Sequence, residues 1–357
     1  MVTSVKTLST VFTAIVITLS LSSCSSSDPV LKPAIEQPSA FLSSSKYASA
    51  TALDLRISDW PYPYPLKEFN TRLQGAPVTM VFMDVPAHGR QRGTVLLFHG
   101  KNFSSDYWAL TIAGLTNAGY RVIAPDQIGF GKSSKPNISY HFDDLAENTF
   151  QLLSSLRIKN VSVVANSMGG MLAVRFARLY PQVVQKLVLE NPLGLEDYSK
   201  DIPPQTNDNL LKLEMAQTEA SYRQFMQSYF PNWKPEYEKF VEVYARVQKG
   251  PDYPAYALTS VLTYQMIAEK PVVNDFPLLK MPTLLIIGQR DRTVFGRRFA
   301  PPEAVKSLGN FPELGRKTAK IIPNATLVPI ENVGHAPHVE VPDFYVKTVV
   351  DFLNLHN

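Results

Sequence analysis

The sequence predicts an α/β protein, with a mostly parallel central sheet covered by helices on both faces and a helical segment inserted late in the sheet. Two observations carry this expectation. From Phe69 to the C-terminus, short β-branched apolar runs alternate with amphipathic stretches, the pattern of buried strands joined by crossover helices. Between Pro192 and Asp275 that alternation gives way to longer, irregular helical segments dense in aromatic residues and methionine. At 357 residues and 45% hydrophobic content the chain can bury a large core, as one domain with an insertion or as two smaller ones.

The N-terminal part reads differently. Residues 1–23 carry a lone positive charge, Lys6, before the apolar run from Val11 to Leu19, and this is built like an export signal. The run is about half of the roughly 20 residues needed to span a bilayer, which makes an embedded helix the weaker reading. Its end, Leu21-Ser22-Ser23-Cys24, resembles a bacterial lipobox. The resemblance implies cleavage before Cys24, lipidation of that residue and a mature protein tethered to a membrane, since several acyl chains suffice for lasting attachment. Ser25 after the cysteine points to the periplasmic face of the outer membrane if the host is Gram-negative. Cys24 is the only cysteine, which excludes an internal disulfide and a cysteine-based zinc site. Residues 24–60 are expected to form a flexible tether, being rich in Ser, Pro, Ala and Lys up to Ala50. The alternating prolines of Trp60-Pro61-Tyr62-Pro63-Tyr64-Pro65 favour an extended segment packed along the domain surface.

In the first part of the core, residues 61–196, strands are expected at 78–85, 94–98, 120–124, 161–166 and 184–189, and helices at 105–118, 142–156 and 170–180. A helical cap occupies 197–275. Residues such as Tyr222, Met226, Phe230, Phe240 and Tyr244 are expected mostly to form its small core, with some lining an apolar pocket. The second part of the core, 276–357, adds strands at 282–288 and 325–329 and a closing helix at 344–355. A net charge of +4 without a Lys/Arg block argues against nucleic acid as a partner.

The chemistry concentrates at Ser167. In Val161-Ser162-Val163-Val164-Ala165-Asn166-Ser167-Met168-Gly169-Gly170 a strand stops at a serine boxed by small residues, and a helix follows at once. A serine on such a turn is strained, and the crowding is relieved only by small residues two before and two after it, here Ala165 and Gly169. The backbone N–H of Met168, at the helix start, is a donor for an oxyanion. Serine needs a base that is itself oriented by a third group. His335 follows the last strand in Gly334-His335, and Asp291 follows a strand in Gly288-Gln289-Arg290-Asp291; His338 and Glu190 are the alternatives for base and acid. His88, His141 and His356 read as ordinary surface residues.

These motifs resemble the α/β-hydrolase superfamily, with Ala165 where glycine is commoner. The resemblance spans about 61–357 and implies the order nucleophile Ser167, acid Asp291, base His335. Phe98-His99-Gly100-Lys101-Asn102 is similar to the family's oxyanion loop. It implies that the backbone N–H of Lys101 pairs with that of Met168, with His99 structural and the side chain of Asn102 a secondary donor. The turn Asp126-Gln127-Ile128-Gly129-Phe130-Gly131-Lys132-Ser133 resembles a structural marker of the family and lacks the lysine spacing of a phosphate loop. No cofactor is expected.

The expected activity is hydrolysis of a small, apolar carboxylic ester through an acyl-enzyme. A serine nucleophile argues against the dehalogenase and epoxide hydrolase relatives, which use aspartate. Carbon–carbon bond hydrolases share Asn166-Ser167-Met168-Gly169-Gly170, but Lys101-Asn102-Phe103 replaces their glycine-rich continuation. A proline iminopeptidase would need a carboxylate from among Glu214, Glu219, Glu236, Glu238 and Glu242 to hold an amine. A noncatalytic ligand-binding protein is the contrasting class. The stretch between Asp291 and His335, with Arg292, Arg297, Arg298, Lys306, Arg316, Lys317 and Lys320, is expected as a solvated insertion rather than a site for anions.

Overall fold

The computed structural model describes residue 1 and residues 45–355, so the export signal, Cys24 with its lipidation, the first part of the tether and His356 lie outside the described residues. One sheet of eight strands runs in the order β1-β2-β4-β3-β5-β6-β7-β8. The edge hairpin joins β1 (Leu66–Leu73) to β2 (Ala76–Val85) through Gln74 and Gly75, whose φ values of 49° and 84° make the type I′ turn that suits the twist of paired strands. Pattern reading misses β1 because an edge strand with mostly exposed side chains has no buried face to impose alternation. Antiparallel pairing ends at the β2–β4 contact. From there β4 (Tyr120–Pro125), β3 (Gly93–Phe98), β5 (Val161–Asn166), β6 (Val184–Glu190), β7 (Thr283–Gly288) and β8 (Ala325–Ile330) are parallel neighbours.

Successive residues of β3 face opposite layers. Leu96 and Phe98 join one buried cluster with α2 (Phe142–Ser155) and α3 (Met168–Leu179). Val95 and Leu97 join the other, with α1 (Ala109–Asn117), which a single 3-10 turn at Ser105–Trp108 precedes. Parallel strands put all their C-terminal ends on one edge, so the turns after β3, β5, β6, β7 and β8 converge where open α/β sheets bind ligands.

Between β6 and β7 the chain inserts α4 (Asn207–Met215), α5 (Glu219–Tyr229), α6 (Glu238–Gln248) and α7 (Tyr253–Glu269). Thr206 caps α4, and Thr218 with Ser221 forms a reciprocal capping box on α5, so both helices start where free amides find side-chain partners. The apolar faces of α5 and α6, with Tyr222, Met226, Phe240 and Tyr244, pack against one another and against Phe103 and Tyr107 of the core.

Two expectations are corrected. Residues 45–60 are not a free tether but a strap between the inserted helices and the core. Leu53, Ile57 and Trp60 are buried, the Leu53 amide donates to the Arg246 carbonyl at 3.0 Å, and Trp60 Nε1 donates to Asp106 at 3.1 Å. The three anchors stand at i, i+4 and i+7 but the segment forms turns rather than a helix, and three isolated apolar residues among polar ones made composition suggest a linker. The stretch after Asp291 is also more than a solvated insertion. It builds α8 (Pro302–Ser307) and α9 (Phe311–Ile321), and α9 buries Phe311, Gly315 and Thr318 beside β7 and β8 while its basic residues stay exposed. The closing elements are α10 (Pro337–Glu340) and α11 (Pro342–Asn354), the latter packed on α1. Among the described residues no helix is long and apolar enough to cross a membrane.

Candidate active site

Ser167 sits between the last residue of β5 and the first of α3 with φ 57° and ψ −123°. A non-glycine residue at positive φ costs about 1–3 kcal/mol and persists only where its surroundings over-determine it. They do so here: the Ser167 amide donates to the Glu190 carbonyl at 3.1 Å, and the Ser167 carbonyl accepts from the amides of Gly170 (2.8 Å) and Leu193 (3.0 Å). A Cβ at Gly169 would lie 2.4 Å from the Phe98 carbonyl oxygen, so the position after Met168 admits only glycine. Ala165 is fully buried in β5, where one methyl is accommodated.

The turn after β7 and the loop after β8 meet beside this elbow. His335 Nδ1 is 2.7 Å from Asp291 Oδ2, and both residues are buried. Opposite an ionised carboxylate, which only accepts, a neutral imidazole carries its proton on Nδ1 and leaves Nε2 as the acceptor. Asp291 is oriented in turn by the Thr293 amide, which donates to Oδ1 at 2.8 Å. The His335 carbonyl accepts from Asn166 Nδ2 at 3.0 Å, which ties the loop after β8 to the residue before Ser167. Nε2 is buried without a hydrogen-bond partner among the described residues, and no hydrogen bond joins it to the Ser167 hydroxyl. Catalytic hydrogen bonds often tighten only when substrate is bound.

The loop after β3, expected to bind an oxyanion, lies across from the elbow. A Cβ at Gly100 would lie 3.2 Å from Ser167 Cβ, so the backbone leading into Lys101 passes directly over the serine. Neither the Lys101 nor the Met168 amide donates a hydrogen bond among the described residues. His99 is buried and bridges loops: Nδ1 is 2.9 Å from the Gly100 carbonyl, and Nε2 accepts from the Gln127 amide at 3.0 Å. Burial lowers its pKa. The amide of Asn102 is engaged elsewhere, donating to the Tyr229 hydroxyl at 3.1 Å. The Lys101 ammonium reaches across to α7, donating to the Ser260 carbonyl (3.0 Å) and hydroxyl (3.1 Å), and burial pulls its pKa down to about 8. Lys101, Phe103, Phe240 and Tyr256 share the wall of a cavity of about 50 Å3 with Ile57 and Trp60 of the strap.

Glu190 and His338, the alternative acid and base, pair with each other: Glu190 Oε1 lies 2.8 Å from His338 Nδ1. Tyr229 on α5 accepts the His335 amide through its carbonyl at 2.8 Å and lays its ring over the imidazole, centroids 4.4 Å apart. Glu340 accepts the Gly334 amide at 2.8 Å; burial first, then the charges of Asp291 and Glu190, raise its pKa to about 7. Its position after an expected strand flags Glu190 in the sequence, whereas nothing local marks Tyr229 or Glu340. Of the cap carboxylates, Glu219 and Glu238 pair with Arg223 at 2.7 and 3.0 Å and Glu242 with Arg246 at 3.1 Å. Glu236 is exposed, and burial raises the pKa of Glu214. Among the described residues no group of three or more His, Cys, Asp or Glu side chains is arranged to hold a metal ion.

Comparison with known proteins gives a consistent set of relatives. A family model described as alpha/beta hydrolase fold matches residues 93–342. Lipase 1 of Psychrobacter immobilis is 29% identical over 255 residues, 70% of this chain and 73% of that one. Lipase 3 of a Moraxella species is 27% identical over 254 residues, 69% and 72% of the two chains. A crystal structure of a probable hydrolytic enzyme from Pseudomonas aeruginosa PAO1 superposes with a TM-score of 0.84 at 40% identity, covering 86% of this chain and 99% of that one.

Proposed function

Since the chain belongs to the α/β-hydrolase family, we propose that it is a serine hydrolase that cleaves a carboxylic ester with Ser167 as nucleophile, His335 as base and Asp291 as its orienting acid. The observation that carries this reading is the His335 imidazole, bonded to Asp291 through Nδ1 and free at Nε2, beside a serine held at φ 57°. Ser167 Oγ attacks the ester carbonyl while Nε2 takes its proton. The tetrahedral oxyanion accepts from the Lys101 and Met168 amides, and its collapse expels the alcohol with the proton from His335. Water, deprotonated by the same nitrogen, then releases the acid and restores Ser167. The lipase names among the relatives support an ester as the substrate. The pairing of Glu219, Glu238 and Glu242 with arginines speaks against an amine-binding peptidase site. The sequence before residue 45 supports export and lipidation at Cys24, which would tether the enzyme to a membrane.

The test is hydrolysis of p-nitrophenyl esters from acetate to long acyl chains by the protein and its Ser167→Ala variant. Loss of about a millionfold in turnover is expected for the variant. Equal activity of the two proteins would remove Ser167 from the mechanism, and the preferred acyl length would measure the pocket under the inserted helices.

A further inference from the structure

Glu190 stands at the centre of a hydrogen-bond network that reaches every part of the candidate site. Its carbonyl accepts the Ser167 amide at 3.1 Å and Asn166 Nδ2 at 3.3 Å, holding the nucleophile side. Its carboxylate accepts the His338 amide at 2.9 Å and lies 2.8 and 3.0 Å from His338 Nδ1, holding the base side. The neighbouring Asn191 continues the link: Nδ2 donates to the Gly334 carbonyl at 2.6 Å, and Oδ1 accepts the Gly288 amide at 2.9 Å on the acid-bearing strand. The loop carrying His335 is thus pinned before it through Gly334, at it through Asn166, and after it through His338.

The pair also reaches the oxyanion loop. The His338 ring stacks on Trp108, centroids 4.0 Å apart, and meets the Tyr107 ring edge-on at 4.4 Å. The Tyr107 hydroxyl accepts the Gly100 amide at 2.9 Å and donates to Asn166 Oδ1 at 3.2 Å. Glu190 and His338 are both buried, and a buried hydrogen-bonded pair contributes little net stability because the loss of hydration offsets its attraction. What such a pair supplies is a fixed distance between the elements it joins.

We propose that Glu190, acting through His338, is a positioning residue that keeps His335 in register with Ser167 and the oxyanion loop. This rests on the triad assigned above. Glu190 touches no reacting atom; its carboxylate sets where the 334–338 loop sits, and a displacement of about 1 Å at the base is enough to cost a hundredfold in rate.

The test compares wild type with Glu190→Gln, His338→Phe and the double variant. Each is read by the rate of covalent labelling of Ser167 with a fluorophosphonate and by kcat and KM on a p-nitrophenyl ester, per folded protein. Glutamine keeps an acceptor for the His338 amide while removing the charge, and phenylalanine keeps the stack on Trp108. Labelling rate and kcat are expected to fall about ten- to a hundredfold in each single variant with KM within about twofold, and the double variant to be no slower than the slower single. Folded variants with unchanged labelling rate and kcat, whatever their melting temperature, overturn the proposal, as do losses that multiply in the double variant. If Glu190→Gln does not fold, His338→Phe decides the matter by the same readings. A wild type that is not labelled at Ser167 overturns the triad and this proposal with it, whereas labelling of wild type at an unchanged rate in the variants overturns the positioning role alone.

Discussion

Two buried histidine–carboxylate pairs lie side by side, Asp291–His335 and Glu190–His338, their histidines three residues apart around the start of α10 and their Nδ1–oxygen distances 2.7 and 2.8 Å. Their local chemistry is the same, and each leaves Nε2 without a partner among the described residues. What differs is the wall around the ring. His335 shares its loop hydrogen bonds with the nucleophile turn and lies under Tyr229, whereas His338 is packed among Trp108, Tyr107 and Tyr345. On the proposed assignment, what separates the two pairs is where the far nitrogen is placed, not the presence of a carboxylate partner, and the second pair has the proposed task of holding the first.

The comparison breaks most readily at His335. His335→Ala is expected to lose about a millionfold in kcat, and a loss no larger than that of His338→Phe would erase the distinction. Asp291→Asn, which leaves the shape but misorients the ring proton, should cost about ten-thousandfold in kcat on the same p-nitrophenyl esters. An equal loss in Glu190→Gln would make the two acids equivalent. Trp108, fully buried against His338, is expected to act on stability: Trp108→Ala should cost about 3–5 kcal/mol in urea unfolding.

The smallest effect sharpens the comparison through pH. Glu340 feels the charges of both Asp291 and Glu190, and its pKa of about 7 lies above the 4.5 of a free glutamate. The folded protein therefore keeps a proton that the unfolded chain releases between pH 4.5 and 7. The stability this supplies is complete below the lower value and is lost as pH rises through the higher one. Glu340→Gln, neutral throughout, should match wild type at acid pH and become more stable by about 1–3 kcal/mol at pH 8, read as a widening gap in melting temperature. A gap that stays flat with pH would show that Glu340 carries no charge linked to the two pairs.

Parts of this arrangement are legible in the sequence because they are local. The elbow follows from sterics within five residues, where a β-branched strand ends at Ser167 between the small residues Ala165 and Gly169. The positions of Asp291 and His335, just after strands, follow from the alternation that defines the sheet. The edge strand β1 and the strap were illegible for the opposite reason: β1 has little buried surface, and the strap's anchors at Leu53, Ile57 and Trp60 bury against the inserted helices and Asp106, far away in sequence.

By itself, then, the sequence determined the α/β class, the place of the strained serine and the candidate residues after each strand, because hydrophobic period and turn sterics act over a few neighbours. Tertiary structure alone decided which acid meets which histidine. Glu190 ends β6 and Asp291 follows β7, and only the order β5-β6-β7-β8 and the path of the backbone from Gly334 to His338 bring Asp291 to His335 and Glu190 to His338. A carboxylate's partner is chosen by distances of about 3 Å between strands far apart in the chain, and no local pattern encodes that distance.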